Sequence, residues 1–550
     1  MVDIDRSNKM KNKKGFTLIE LLAVIIILAV IALIATPIVL NVIDNARKSA
    51  NKDSAYGLLD SAKLYYMESL LDESKSLSGN LIDKINVSGR KPDNGTVYIN
   101  NKGEIALSVV YDKVCFIKNY EDADLTESDD INNCKIKVVY KDSILNGADP
   151  ELKDNLVAVT INNDGTVKKA DIYSEWYNYT NKTWANAIIL KDKNASYKDG
   201  EEIPFDNIES YFVWIPKYSY KIFNLGNYTS VITVDSKPSE SAAQEIEIKF
   251  GTSNTKDEID GECRTPMLSG ESGNCKVGDY MTHPAFISMD TTGLWVAKFE
   301  TTGTTDSINV LPNQESLRSI NVSTMFELSY NYNRSLDSHM MKNTEWGAVA
   351  YLSNSKYGIN SEIRINNSST YITGCAAIIP ALNYVGKSQS DNTEGYYNGC
   401  EREYNTDIGY LASTTGNISG IYDMSGGSWE YMAAYSSLGN SGFDASSITK
   451  YDSKYFDIYS ADSEIATYNK RILGDATGEL GPFYYYKESN GTNYYHSIWG
   501  ADLANFVGVS APWFIRGDSY DHGILAGSFA FNRNAGTSYS TFSFRLVLAD

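Results

Sequence analysis

The sequence predicts an α+β chain of unequal parts. One long N-terminal helix with a small β head precedes a large domain of short strands and long loops. Three observations carry this. An apolar run extends from Phe16 to Val39, and apolar residues then recur at helical spacing. Short alternating segments with turn signals follow from residue 95 to 167. The rest is rich in Gly, Asn, Ser and Tyr, with only brief apolar runs. At 550 residues the chain exceeds one core, and roughly 150 residues per domain gives about three to four units. With 49 Lys+Arg against 69 Asp+Glu, the net charge is −20. Such a surface repels phosphate, which argues against nucleic acid as a partner. Mean hydropathy of −0.31 and 42% hydrophobic content exclude a multi-span transporter and a disordered chain. Tyrosine is in excess, 40 residues against 18 Phe and 8 Trp. Its apolar ring and polar tip suit a recognition surface; an all-β protein from an AT-rich genome would show the same excess.

Lys9, Lys11, Lys13 and Lys14 lead into Gly15 and then FTLIELLAVIIILAVIALIATPIVLNVI. From Phe16 to Val39 a helix would run roughly 36 Å at 1.5 Å per residue. That is enough to cross a bilayer with the basic flank in the cytoplasm. A cleaved secretory signal competes, but its apolar region would be shorter and end at a small-residue site. Glu20 and Pro37 fit a plain anchor poorly. A carboxylate inside the span needs a partner, and proline bends a helix unless its neighbours accommodate it.

Lys13-Lys14-Gly15-Phe16-Thr17-Leu18-Ile19-Glu20 resembles the type IV prepilin signature, with Pro37 where such pilins commonly carry proline. The resemblance implies cleavage between Gly15 and Phe16 by a prepilin peptidase, then N-methylation of Phe16. It also implies assembly with other pilin subunits, whose terminal amine would pair with Glu20. The chain would be a single-pass membrane protein before assembly, then lie on an extracellular pilus or the cell surface.

The expected organisation is a leader over 1–15, a transmembrane and pilin helix over 16–75, a β head over 76–170, a connector over 171–204 and a large domain over 205–550. Ala55, Leu59, Ala62, Tyr66 and Leu70 give the extended helix one apolar face. Strands are expected at Thr96–Ile99, Ile105–Phe116, Lys135–Tyr140 and Leu156–Ile161, the last turning at Asp164-Gly165 toward Val167. The connector carries Trp176, Tyr177, Tyr179 and Trp184. All six cysteines follow the span: Cys115, Cys134, Cys263, Cys275, Cys375 and Cys400. An even set beyond a membrane segment favours disulfides, paired as nearest neighbours among the 15 possible connectivities. A zinc site competes, without a C-x2-C pair to support it, and so do reduced core cysteines.

Within 205–550, several phrases occur in order. They are FVWIP (212–216), HPAF (283–286), LWVAKFE (294–300), TEWGAVAY (344–351), GIYDMSGGSWE (420–430), Arg516-Gly517 and SFRLVL (543–548). Together they resemble the formylglycine-generating-enzyme branch of the C-type-lectin-like fold. Those enzymes work through cysteines between the Arg-Gly and the closing Phe-Arg, and 516–545 contains none. Without a thiolate the nucleophile and metal ligand are missing, so no catalysis and no cofactor are expected. Gly427 stands where the family usually has Asn, which weakens an implied structural calcium site.

From Trp513, framework residue types alternate with mixed surface ones. Trp429, Trp513, Arg516, Gly517, Phe544 and Arg545 read as framework. Ser519, Tyr520, Asp521, His522, Ile524, Leu525, Ser528, Arg533, Asn534, Thr537, Ser538 and Tyr539 read as ligand contacts. Phe529 and Phe531 would face inward at period two. This pattern is similar to the variable region of diversity-generating-retroelement target proteins, whose contact positions change by adenine-directed mutagenesis of Asn codons. The expected protein is a minor type IV pilin or pseudopilin that displays a ligand-binding domain to an extracellular protein or glycan. Three alternatives stay open: a secretion or DNA-uptake pseudopilin, an active enzyme, and a non-pilus surface receptor.

Overall fold

The computed structural model describes residues 17–70, 75, 80–87, 89–99, 103–120, 122–131, 134, 136, 147–153, 155–172, 175–225, 232–233, 245–251, 275–379, 396–437, 450–459, 472–481, 483–487, 493–497 and 499–549. The chain divides into two compact units, residues 1–139 and 140–550. It is α+β: a long N-terminal helix is followed by a large β-rich region of several mostly antiparallel sheets.

In the first unit, Leu18–Ser69 form one α-helix of 52 residues, about 78 Å long at 1.5 Å per residue. Thr17 caps it from an extended conformation. The Thr17 N–H and hydroxyl both donate to the Glu20 carboxylate at 2.9 Å, and Glu20 N–H donates back to the Thr17 hydroxyl at 3.3 Å. Within the single chain this reciprocal cap engages the carboxylate for which the expected partner was the terminal amine of another subunit. The helix continues through Pro37, with the Thr36 hydroxyl donating to Ala32 O at 2.5 Å. Its apolar part reaches a mean hydropathy of 3.2, and none of that window is buried. Among the described residues this is the one helix long and apolar enough to cross a membrane. Gly15 and Phe16 lie outside the described residues.

The distal part of the helix packs on a four-stranded antiparallel sheet in chain order, Asn94–Ile99, Ile105–Tyr111, Val114–Lys118 and Thr126–Ser128. Ala55, Leu59 and Ala62 are buried as expected, joined by Leu58 and Tyr65. Leu70 is instead 67% exposed, because the helix ends at Ser69 and Leu70 is its cap. The expected strand Ile105–Phe116 is in fact a hairpin. Asp112 and Lys113 both take positive φ, 47° and 69°, the conformation a two-residue turn of matching twist requires. Arg90 donates two bonds to the Asp112 carboxylate at 2.6 and 2.8 Å and holds that turn without glycine. Cys115 and Cys134 form a disulfide. The strand expected at 135–140 lies outside the described residues apart from Ile136, which is not in a strand.

The second unit contains a seven-stranded sheet. Its order is His339–Met340, Leu546–Leu548, Gly293–Ala297, Ile208–Pro216, Asn186–Leu190, Leu156–Ile161 and Val167–Lys169, every pairing antiparallel. This corrects two expectations. The hairpin at 156–169 belongs to this sheet rather than to the small head, and Asn186–Leu190 is an interior strand rather than a connector. The unit boundary accordingly falls at 139/140, not at 170. Asn186–Leu190 is buried at every position, so it lacks the alternation that reveals a half-exposed strand. Trp176, Tyr177, Tyr179 and Trp184 are buried in the same core.

A second sheet runs Asp457–Tyr459, Trp429–Ser436, Trp513–Gly517 and Gly527–Asn534, with Phe542–Phe544 also paired to Trp429–Ser436. The helix Asn343–Ser353 is buried at every residue. A Cβ on its Gly347 would stand 2.9 Å from the backbone of Asp475 and closer still to Gly474 O. Gly347→Ala therefore destabilises the unit by roughly 1–3 kcal/mol, although alanine at an exposed helical position would stabilise by about 1 kcal/mol. Denaturant titration followed by tryptophan fluorescence reads the sign directly.

Candidate functional site

The last 40 residues build a buried frame with a surface mounted on it. Arg545 is fully buried. It donates to both oxygens of Glu430, at 3.0 and 2.5 Å, and to Ala297 O and Tyr422 O at 2.9 and 3.0 Å. Arg516 is also fully buried, its guanidinium 5.6 Å from the Trp346 and Phe531 ring centroids. Burial pulls its pKa down to about 10, against the attraction of Asp475. Trp429, Trp513 and Phe544 are buried as well. Gly517 turns the chain at φ 82°, and Asp518 follows at 66°.

The residues beside this frame do not fit a calcium ion. Glu300 accepts from Ser428 N at 2.8 Å and from the Ser316 hydroxyl. Asp423 accepts from Gly374 N and Asn366 Nδ2, both at 2.8 Å. A Cβ at Gly427, whose φ is 71°, would stand 2.6 Å from Glu300 Oε1, so a side chain there would displace the Glu300 carboxylate from its present place. Burial raises both carboxyl pKa values, and at Glu300 the charges of Asp423 and Glu430 add to it.

Above the frame, the loop 518–522 is pinned by its own ends. Buried Asp518 pairs with His522 Nδ1 and accepts from Ser519 N at 2.6 Å. Burial disfavours the charged imidazole, but the Asp518 carboxylate outweighs it and lifts the His522 pKa to about 9. Tyr520 N donates to Gly427 O at 3.0 Å. The Tyr520 ring meets Tyr371 at 5.1 Å and Tyr396 at 5.4 Å between centroids, both nearly perpendicular. Tyr396 OH donates to Asp521 O at 3.1 Å. Arg318 lies over the face of Tyr371 at 3.9 Å and donates to Ser540 O. Ser319 N donates to Tyr539 O at 3.0 Å. Four chain segments thus meet around one aromatic cluster: 318–319, 371, 396 and 520–540.

Of the expected contact residues, Tyr520, Asp521 and His522 are partly exposed, and Thr537, Ser538 and Tyr539 are exposed. Three are corrected. Ser519 and Leu525 are buried under the loop, and Ser528 is buried because its strand is covered on both faces, not one. Asn534 serves the turn that follows, its Oδ1 accepting from Tyr431 OH at 2.6 Å and Gly536 N at 3.2 Å. Arg533 is half-buried, and the Ile524 side chain lies outside the described residues.

Sequence reading missed Arg318, Tyr371 and Tyr396. One signal was available: Cys375 and Cys400 form a disulfide with Cα atoms 5.3 Å apart, and Tyr396 stands just before the second of them. Cys275 is disulfide-bonded too, and Cys263 lies outside the described residues. Among the described residues no group of three or more His, Cys, Asp or Glu is arranged to hold a metal.

Residues 10–36 match the family model described as the prokaryotic N-terminal methylation motif. No curated protein matches the chain. The motif implies processing by prepilin peptidase, assembly with pilins, and insertion of the helix into the membrane on the way to a pilus or surface location.

Proposed function

We propose that this type IV pilin-like protein is a minor pilin or pseudopilin whose large unit is a non-catalytic, lectin-like ligand-binding domain. The helix anchors it in the membrane and then in the filament core. The large unit, residues 140–550, is bulky for a repeating major subunit and suits a tip or low-abundance position. The observation that carries the binding role is the partly exposed pair Tyr396 and Tyr520, packed on the buried Tyr371 and built on a frame that fixes backbone position through Arg516 and Arg545. Rigid aromatic anchors beside adaptable polar residues are the usual makeup of a recognition face. The stretch 516–545 offers no cysteine for oxidative chemistry, and the exposed positions near 518–541 suit adenine-directed diversification.

Two measurements test this. Mass spectrometry of the mature protein is expected to find a methylated Phe16 at the N-terminus; an intact leader refutes the pilin assignment. Tyr520→Ala with Tyr396→Ala is expected to cut adhesion of expressing cells at least about tenfold, since aromatic hot spots cost ~2 kcal/mol or more. Unchanged adhesion refutes the binding face. Sequencing the gene from several clones checks diversification: variation is expected in codons near 518–541, and an invariant 3′ end counts against it.

A further inference from the structure

The charges around the aromatic surface do not cancel. Arg318 has Glu315 at 3.6 Å, and His522 has Asp518 in direct contact. Asp521 is left over. Among the described residues its carboxylate meets only His522 Nε2, at 3.9 Å, and that imidazole already belongs to Asp518. Its side chain is 34% exposed, and it stands between Tyr520 in sequence and the Tyr396 hydroxyl that bonds its backbone. An excess carboxylate among tyrosine rings is a site for a cation. The same surface already holds one internally, since the Arg318 guanidinium lies 3.9 Å from the Tyr371 centroid.

We infer that Tyr396, Tyr520 and Asp521, backed by the buried Tyr371 whose face Arg318 already covers, receive the lysine or arginine side chains of a basic protein segment. The inference rests on reading this face as the ligand-binding surface, and it names the chemistry of the partner. Ring quadrupoles attract an ammonium or guanidinium over their faces, and Asp521 supplies the carboxylate that such a group pairs with. The net charge of −20 adds long-range attraction for a basic partner, and salt screens it. A neutral glycan would stack on the tyrosines without using the surplus charge.

The test uses the full chain in detergent and a fluorescein-labelled octa-arginine peptide, read by anisotropy at low and high salt. Asp521→Asn and Tyr520→Ala are each expected to weaken binding at least about fivefold. Glu175→Gln, an exposed carboxylate elsewhere, is expected to leave it unchanged. Equal weakening by Asp521→Asn and Glu175→Gln would mean attraction by bulk charge and overturns the inference, as does octa-arginine binding that neither site variant alters. The adhesion assay on the same variants separates the two levels. Adhesion lost in Tyr520→Ala yet kept in Asp521→Asn overturns the cationic partner and keeps the face. Adhesion kept in both removes the face itself.

Discussion

Arg545→Met is expected to lower the stability of the large unit by roughly 3–5 kcal/mol, or to prevent its folding, because it strands a buried carboxylate. Both partners of the Arg545–Glu430 pair are fully shielded from water. Burial, with the charge of Asp423 adding to it, pushes the Glu430 carboxyl up to about 7 even with the guanidinium in place. Without Arg545, Glu430 is driven toward its protonated form, and Ala297 O and Tyr422 O each lose a donor. These carbonyls lie in the strand Gly293–Ala297 and beside Asp423, so one side chain ties the first sheet, the second sheet and the 420–430 loop together. The double variant Arg545→Met/Glu430→Leu separates the pair from the packing. It is expected to recover part of the loss, since removing both charges spares the desolvation of either. Recovery stays incomplete because the two carbonyls remain short of a partner. Denaturant unfolding followed by tryptophan fluorescence measures both, and a single variant within about 1 kcal/mol of the parent would contradict the account.

What the sequence disclosed follows from how local each signal is. The helix from Leu18 was legible because apolar length is a property of one segment, whereas its Thr17–Glu20 cap was not, since the expected partner of Glu20 was the terminal amine of another subunit. The inward placement of Phe529 and Phe531, both buried, was legible too. Gly427 carried real information as well: its missing side chain makes room for Glu300. The domain boundary was not legible, since Asn186–Leu190 is a uniformly buried strand whose partners lie at 156–161 and 208–216. The Asp112-Lys113 turn was missed because a salt bridge to Arg90, 22 residues earlier, stabilises a backbone that glycine or asparagine usually supplies. The candidate site was half legible. Tyr520, Asp521 and Tyr539 stood out from the local pattern, whereas Arg318, Tyr371 and Tyr396 reach the same surface only through tertiary packing and the Cys375–Cys400 link.

The pH dependence of the large unit supplies a test of that packing at a second buried carboxyl. Glu479 is 1% exposed. It accepts from Tyr351 OH at 2.9 Å and Gly474 N at 3.2 Å, and burial pushes its pKa from 4.5 up to about 8. A raised carboxyl stabilises the fold fully below its unfolded pKa and loses that contribution as pH rises through the folded one. At about 1.4 kcal/mol per unit, the whole shift is on the order of 5 kcal/mol. His283, within the same aromatic cluster, works in the opposite sense: burial lowers its pKa from 6.5 to about 3, so its contribution grows as pH rises toward 6.5. Between about pH 4.5 and 6.5 the two largely offset each other. From about pH 6.5 to 8 the loss from Glu479 stands unopposed by His283 and amounts to about 2 kcal/mol. Glu479→Gln keeps an acceptor for Tyr351 and Gly474 but cannot ionise. Its stability, measured by denaturant titration at half-unit intervals, is expected to fall less than the parent's across that window by this amount. The contributions of Glu430 and of Asp457, whose carboxyl burial raises to about 6, are shared by both proteins and cancel in the difference. Parallel profiles from pH 6.5 to 8 would show that Glu479 reaches water or a cation, and would remove the buried acid from the core.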